Sequence, residues 1–131
     1  MAKLTKEMKD FIKEKDPPQI FVGTVNKDGV PNISIKGTFV SVLDDETIVY
    51  ADVYSQKTAD NIKRNPNVAI AVMNARIFKG YQFKGKGELM ESGQVLEEAR
   101  KLNPGLKSVT KVKIQEIYLL DYGPQAGKKV A

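Results

Sequence analysis

Apolar residues recur along this chain with two periods, and the switch between them predicts the elements. Leu4, Met8, Phe11 and Ile12 fall at helical spacing. They predict a short amphipathic helix over Leu4 to Lys15, stopped by Asp16-Pro17-Pro18. Ile20 to Val25 has strand composition, and Asn26-Lys27-Asp28-Gly29 supplies a tight hairpin turn. Pro31 to Leu43 then returns as one long strand, with Gly37 expected to mark a bulge or bend. Asp44-Asp45-Glu46 turns the chain into a strand over Thr47 to Ala51. A helix over Lys57 to Asn65 follows, with Ala59 and Ile62 inward and Pro66 as its stop. Val68 to Met73 is an apolar strand. Ile77 to Met90 alternates, with Tyr81, Phe83, Gly85, Gly87 and Leu89 on one face and Gln82, Lys84, Lys86 and Glu88 on the other. A helix over Gly93 to Leu102 and a strand over Ser108 to Tyr122 complete the pattern, the strand with Val112, Ile114 and Ile117 inward. The total is about six or seven strands in sequence order, joined by tight turns, with two or three short helices. Long strands with interior glycines predict a mainly β fold with flanking helices: an antiparallel, six- to seven-stranded β-barrel. Residues 1–131 read as a single domain, with a polar tail from Gly123 to Ala131 expected to fray.

Composition narrows the chemistry more than the fold. With 41% hydrophobic and 28% charged residues the chain is an ordinary globular domain rather than a disordered one. No apolar run approaches the roughly 20 residues of a membrane span. Met1 to Lys15 is charged and lacks the apolar core of a signal peptide, so the expected location is the cytoplasm. Cysteine and histidine are both absent. That removes disulfides, thiolate nucleophiles, Ser-His-Asp triads and His/Cys metal sites, and no metal site is expected. Any redox or group-transfer chemistry therefore points to a bound cofactor. The net charge of +5 suits an anionic ligand or nucleic acid, but the basic residues are spread along the chain and form no nucleic-acid arm.

Two segments carry candidate chemistry. The first runs from Tyr50-Ala51-Asp52 through Ser55-Gln56-Lys57-Thr58, where a strand ends and a helix begins. Free backbone N–H groups and the helix dipole favour an anion there. Lys57 adds a charge, and Ser55 and Thr58 add hydroxyl donors. The plain alternative is that Ser55 is an N-cap and Lys57 a solvated side chain. The second is Asn32-Ile33-Ser34-Ile35-Lys36, which places Ser34 and Lys36 on one face of a strand and Ile33 and Ile35 on the other. That suits a ligand wall or, equally, an exposed sheet face with a solvated lysine. Phe78, Tyr81 and Phe83 stand among Arg76, Lys79, Lys84 and Lys86, a mixture also seen in nucleic-acid readers. The alternation instead reads as core on one face and solvent on the other.

Taken in order, strand–Asp28-Gly29–strand, strand–Ser55-Gln56-Lys57-Thr58–helix–Asn65-Pro66 and strand–Gly85-Lys86-Gly87-Glu88 resemble the FMN-binding split-barrel family. That group includes pyridoxamine 5′-phosphate oxidase and small bacterial FMN-binding proteins, and the resemblance covers about residues 5 to 122. It implies a split β-barrel that binds FMN non-covalently. Lys57 and Thr58, with Ser55 and Gln56 beside them, match its phosphate-binding turn. Ser34, Ile35 and Lys36 match the strand touching the ribityl chain and ring, and Ala51 and Asp52 match a strand end at the ring edge. The resemblance further implies a homodimer with flavin sites at the interface, Gln82 reaching in from the partner strand. The chain departs from the vitamin B6 oxidase in having no Arg-x-His element and in carrying Gln56 where that enzyme has Arg, so true pyridoxamine-phosphate oxidase activity is not expected. The implied activity is oxidoreduction or electron carriage with an unnamed substrate and electron partner. The alternatives are a flavin- or F420-binding module without catalysis, F420 ranking after FMN, and a small basic barrel that binds nucleic acid.

Overall fold

The computed structural model describes residues 2–14, 18–36, 40–52 and 56–131. The expected stop at Asp16-Pro17, the Gly37 bend and the Ser55 cap lie outside these residues. Among those described the elements run α1 (Lys6–Ile12), β1 (Gln19–Val25), β2 (Pro31–Ile35), β3 (Val40–Asp44), β4 (Thr47–Ala51), α2 (Gln56–Arg64), β5 (Asn67–Asn74), β6 (Lys79–Met90), α3 (Gln94–Arg100) and β7 (Val109–Leu119). All seven strands join one antiparallel sheet in the order β2-β1-β5-β6-β7-β4-β3. The architecture is the expected mainly β split barrel.

The long strand expected over Pro31 to Leu43 is corrected to two. Among the described residues β2 pairs only with β1 and β3 only with β4, so consecutive strands stand at opposite margins of the sheet. Apolar alternation continues through both segments, and periodicity alone carries no sign that the partner strand changes. The barrel is split at this point: β2 and β3 are not hydrogen-bonded neighbours.

The interior is filled by alternate residues of the strands. Ile20, Val22, Ile48, Tyr50, Ile70, Val72, Phe83, Val112, Ile114 and Ile117 are all buried in one cluster. Met8, Phe11 and Ile12 of α1 and Ile62 of α2 pack into the same cluster. Thr5 caps α1 by accepting from the Met8 N–H at 3.2 Å. On the other side of the sheet, Leu96 and Ala99 of α3 cover Val49, Ala51 and Val109. β4 is therefore buried on both faces, and its five residues are apolar or β-branched accordingly.

β7 buries Val112 and Ile114 and then Ile117, a change of parity that a regular strand forbids. A register shift explains it. Lys84 pairs with Glu116 whereas Gly85 pairs with Ile114, so Gln115 is the extra residue of a β-bulge. Gly85 sits at the bulge because backbone closes over it: a Cβ there would run into the Lys113 carbonyl. The tail, expected to fray, folds back along the end of β7, where Val130 N–H donates to Ile117 O at 2.8 Å and Leu119 N–H donates to Lys128 O at 2.8 Å. No helix among the described residues is long and apolar enough to cross a membrane.

Because the obstacle at Gly85 is main chain, Gly85→Ala should destabilise the fold by at least about 2 kcal/mol. Gly105→Ala, with only the Asn103 side chain at 3.8 Å, should cost far less. Urea unfolding midpoints of the two variants check this; equal midpoints would contradict the bulge assignment.

Candidate functional site

α2 follows β4 in the chain and packs on β1, β2 and β6. Asn61 Nδ2 donates to the buried Thr24 hydroxyl of β1 at 3.1 Å. One turn earlier, the Thr58 hydroxyl donates to Ser34 Oγ at 3.1 Å and accepts from Asn32 Nδ2 at 3.4 Å. These bonds hold the first turn of α2 against the inward face of β2. Thr58 is thereby buried with its hydroxyl engaged, whereas Lys57 stays exposed at the rim. Gln56, also exposed, donates its amide to Asp60 Oδ1 at 2.9 Å, an i,i+4 contact along the helix.

Ser34 and Lys36 share the inward face of β2, and Ile33 and Ile35 point outward. This settles which face of that strand lies inside, and the inner one is the polar one. Lys36 is only 7% exposed and donates its main-chain N–H to Ile20 O at 2.8 Å. Its ammonium lies 3.8 Å from Asp52 Oδ1 and 4.9 Å from the centre of the Tyr50 ring. Asp52 is equally buried. Its N–H donates to Ser108 O at 3.1 Å, and its Oδ2 accepts from Ser108 Oγ at 3.1 Å and Thr110 Oγ1 at 3.0 Å. Ala51 is buried in the β4–β7 ladder opposite Val109.

Burial dominates the electrostatics of the pair. It lowers the Lys36 pKa from the ordinary lysine range, and the nearby Asp52 only partly opposes the shift. It raises the Asp52 carboxyl, against the attraction of Lys36 and the hydroxyls of Thr110 and Ser108. Burial and then the Asp52 charge raise the Tyr50 phenol. Among the described residues Asp52 Oδ1 and Tyr50 Oη are buried with no hydrogen bond, Oδ1 having the Lys36 ammonium at 3.8 Å.

Apart from Ala51, whose side chain packs under α3, and Ser55, which lies outside the described residues, the expected site residues fall into two groups. Ser34, Lys36, Asp52 and Thr58 meet at the split between the margins, with Lys57 and Gln56 at its rim. Ile35 and Gln82 are elsewhere, on the outer face of the sheet. They share one row, since Ile35 pairs with Phe21, Phe21 with Ala71 and Ala71 with Gln82. Within one chain Gln82 is separated from the inner group by the sheet itself. Asn32, Tyr50, Ser108 and Thr110 belong to the inner network but were not among the expected site residues. Their one signal was polarity at inward strand positions, as in Ser108 and Thr110 preceding Val112.

Removing one partner of a buried ion pair leaves the other uncompensated, so Lys36→Met or Asp52→Asn alone should cost about 3 kcal/mol or more, and the double variant should recover much of it. The pH dependence has a definite sign. A raised Asp52 pKa contributes stability that is complete below the unfolded aspartate value and lost as pH rises through the folded one. Asp52→Asn should therefore flatten the fall in unfolding free energy above the ordinary aspartate range; urea melts at a series of pH values show whether it does.

Comparison with known proteins agrees with this architecture. The family model described as pyridoxamine 5′-phosphate oxidase matches residues 4–121. A protein of Methanocaldococcus jannaschii, the uncharacterized MJ0282, is 37% identical over 100% of this chain and 90% of its own. The crystal structure of HupZ from Group A Streptococcus is 32% identical, covers 95% of this chain and 99% of its own, and superposes with a TM-score of 0.80. An FMN-binding protein of Syntrophomonas wolfei subsp. wolfei, 17% identical with 88% of this chain and 84% of its own covered, shares the fold at a TM-score of 0.74. With nearly its whole length matched, from the first helix to the end of β7, the chain belongs to the pyridoxamine 5′-phosphate oxidase family.

Proposed function

We propose that this protein is a cytoplasmic, homodimeric flavoprotein that binds FMN non-covalently at the split of the barrel and works as an oxidoreductase or electron carrier. The observation that carries the reading is the Thr58–Ser34 hydrogen bond at 3.1 Å. It brings the start of α2, with the exposed Lys57, against the polar face of β2, and a helix start favours an anion. The residues present fit the cofactor. A dianionic phosphate suits Lys57, whose charge is exposed, better than Lys36, whose charge Asp52 offsets. Asp52 Oδ1, which has the Lys36 ammonium at 3.8 Å, and the buried Tyr50 Oη are polar atoms inside the split. When bound, the flavin would supply the hydride or electron transfer for which a chain without His or Cys has few groups of its own. Lys57 with the first turn of α2 would hold the phosphate, and Ser34, Lys36 and Asp52 would form the wall, with Ala51 offering only its backbone since its side chain packs under α3.

The outer face of the sheet supports the dimer. Ile33 and Ile35 on the edge strand β2 are 75% and 68% exposed. Beside them Gly23 and Ala69 floor a groove of about 370 Å³ that Ile33 flanks and Lys84 and Glu116 close. Small floor residues and protruding isoleucines suit a second copy of the same face. In such a dimer Ile35 and Gln82, which share one outward row of the sheet, would lie in the contact between the two chains. The substrate differs from that of the vitamin B6 oxidase, given Gln56 and the missing histidine.

FMN added to the purified protein and then desalted should leave bands near about 375 and 450 nm, the flavin's own absorption. Retained deazaflavin but not FMN would move the assignment to F420. Salt-sensitive oligonucleotide binding with no flavin would favour the nucleic-acid reading. Lys57→Ala should weaken FMN binding by about 1–3 kcal/mol in a fluorescence titration, the worth of a lost charge-assisted contact. Unchanged affinity would remove Lys57 from the site. Ile35→Glu should convert the dimer to monomer in analytical ultracentrifugation; a protein already monomeric would contradict the dimer.

A further inference from the structure

We propose that Asp52 is a positioning residue for Lys36: anchored by β7, its carboxylate fixes the Lys36 ammonium at the wall of the flavin site, offsets part of its charge, and so sets the potential of the bound flavin. This rests on the flavin reading above and adds a role for a side chain which that reading uses only as wall.

The anchoring follows from the sheet. Ala51 pairs with Val109 and Tyr50 with Thr110, so Asp52, one residue beyond β4, lands beside Ser108. Three hydrogen bonds then fix it: its N–H to Ser108 O, and both hydroxyls of Ser108 and Thr110 to Oδ2. With both hydroxyls on Oδ2, the other oxygen faces Lys36 at 3.8 Å. The Tyr50 ring lies beneath the same ammonium at 4.9 Å. Lys36 in turn stands two residues beyond Ser34 on one strand face, a step of about 6.8 Å. Ser34 is the residue bonded to the first turn of α2. A side chain only 4% exposed is little screened over such a distance. A fixed cation there favours the flavin state with more negative charge, and a carboxylate beside it weakens that preference.

The test uses the full chain and FMN. Wild type, Asp52→Asn, Lys36→Met and the double variant are loaded with FMN and their midpoint potentials measured by dye-coupled reduction. Asp52→Asn should shift the potential upward and Lys36→Met downward, and the Asp52→Asn shift should be smaller in the Lys36→Met background. No shift in Asp52→Asn, or an equal shift in both backgrounds, would overturn the proposal. A second readout needs no flavin. In ¹⁵N-lysine spectra of the apo protein the protected Lys36 ammonium resonance should move or broaden in Asp52→Asn, and an unchanged resonance overturns the positioning role whether or not FMN binds. A wild-type protein that takes up no FMN overturns the cofactor reading and the tuning with it, while the ammonium resonance still decides the positioning. Should Asp52→Asn fail to fold, Ser108→Ala keeps both charges but removes one anchor, and it should shift the potential in the same direction by less.

Discussion

Lys36 and Asp52 face each other at the point where the sheet fails to close. Seven strands in the order β2-β1-β5-β6-β7-β4-β3 have two margins, and no backbone ladder joins β2 to β3. Among the described residues, side chains bridge the gap: the ion pair between the end of β2 and the end of β4, and the hydroxyl and amide contacts that α2 makes with Ser34, Asn32 and Thr24. Other features take their place from this constraint. β4 is buried on both faces because α3 covers its outer side, which makes the β4–β7 ladder a rigid base for Asp52. α2 follows β4 in the chain and packs on β1, β2 and β6, and its first turn lies beside the polar face of β2.

A buried pair at 3.8 Å is an expensive way to close a barrel. The shifts of both partners toward their neutral forms show desolvation outweighing attraction. Apolar residues could fill the same space at less cost. Retaining a lysine, an aspartate, a tyrosine and two hydroxyls in the split is understandable if the split is also a binding site, where preorganised polar groups are needed and stability elsewhere compensates. The large apolar core around Phe83, Ile70 and Val112 supplies that compensation.

The fold was largely legible because local chemistry dictates it. Asn26 to Gly29 could only be a turn, Thr47 to Ala51 has its strand bounds written in β-branched residues, and Pro66 ends α2. The break between β2 and β3 was not legible, because strand partners are a tertiary property and the alternation runs through both. The Gln115 bulge left a trace in the spacing of Ile114 and Ile117 but no marker of its cause. At the candidate site, the turn expected to hold a phosphate and the polar face of β2 were readable as separate segments, and the Thr58–Ser34 bond joins them. The pairing of Lys36 with Asp52 was hidden: it depends on Ser108 and Thr110, more than fifty residues away, turning one carboxylate oxygen toward the lysine.

The central claim is that the split, closed by side chains, is the cofactor site. A crystal structure of the protein grown with FMN tests it most directly. The account predicts the phosphate on the first turn of α2 beside Lys57 and Ser34, with the ring toward the Lys36–Asp52 pair. FMN seated elsewhere, with the Thr58–Ser34 and Lys36–Asp52 contacts unchanged and solvent at the turn, would contradict it.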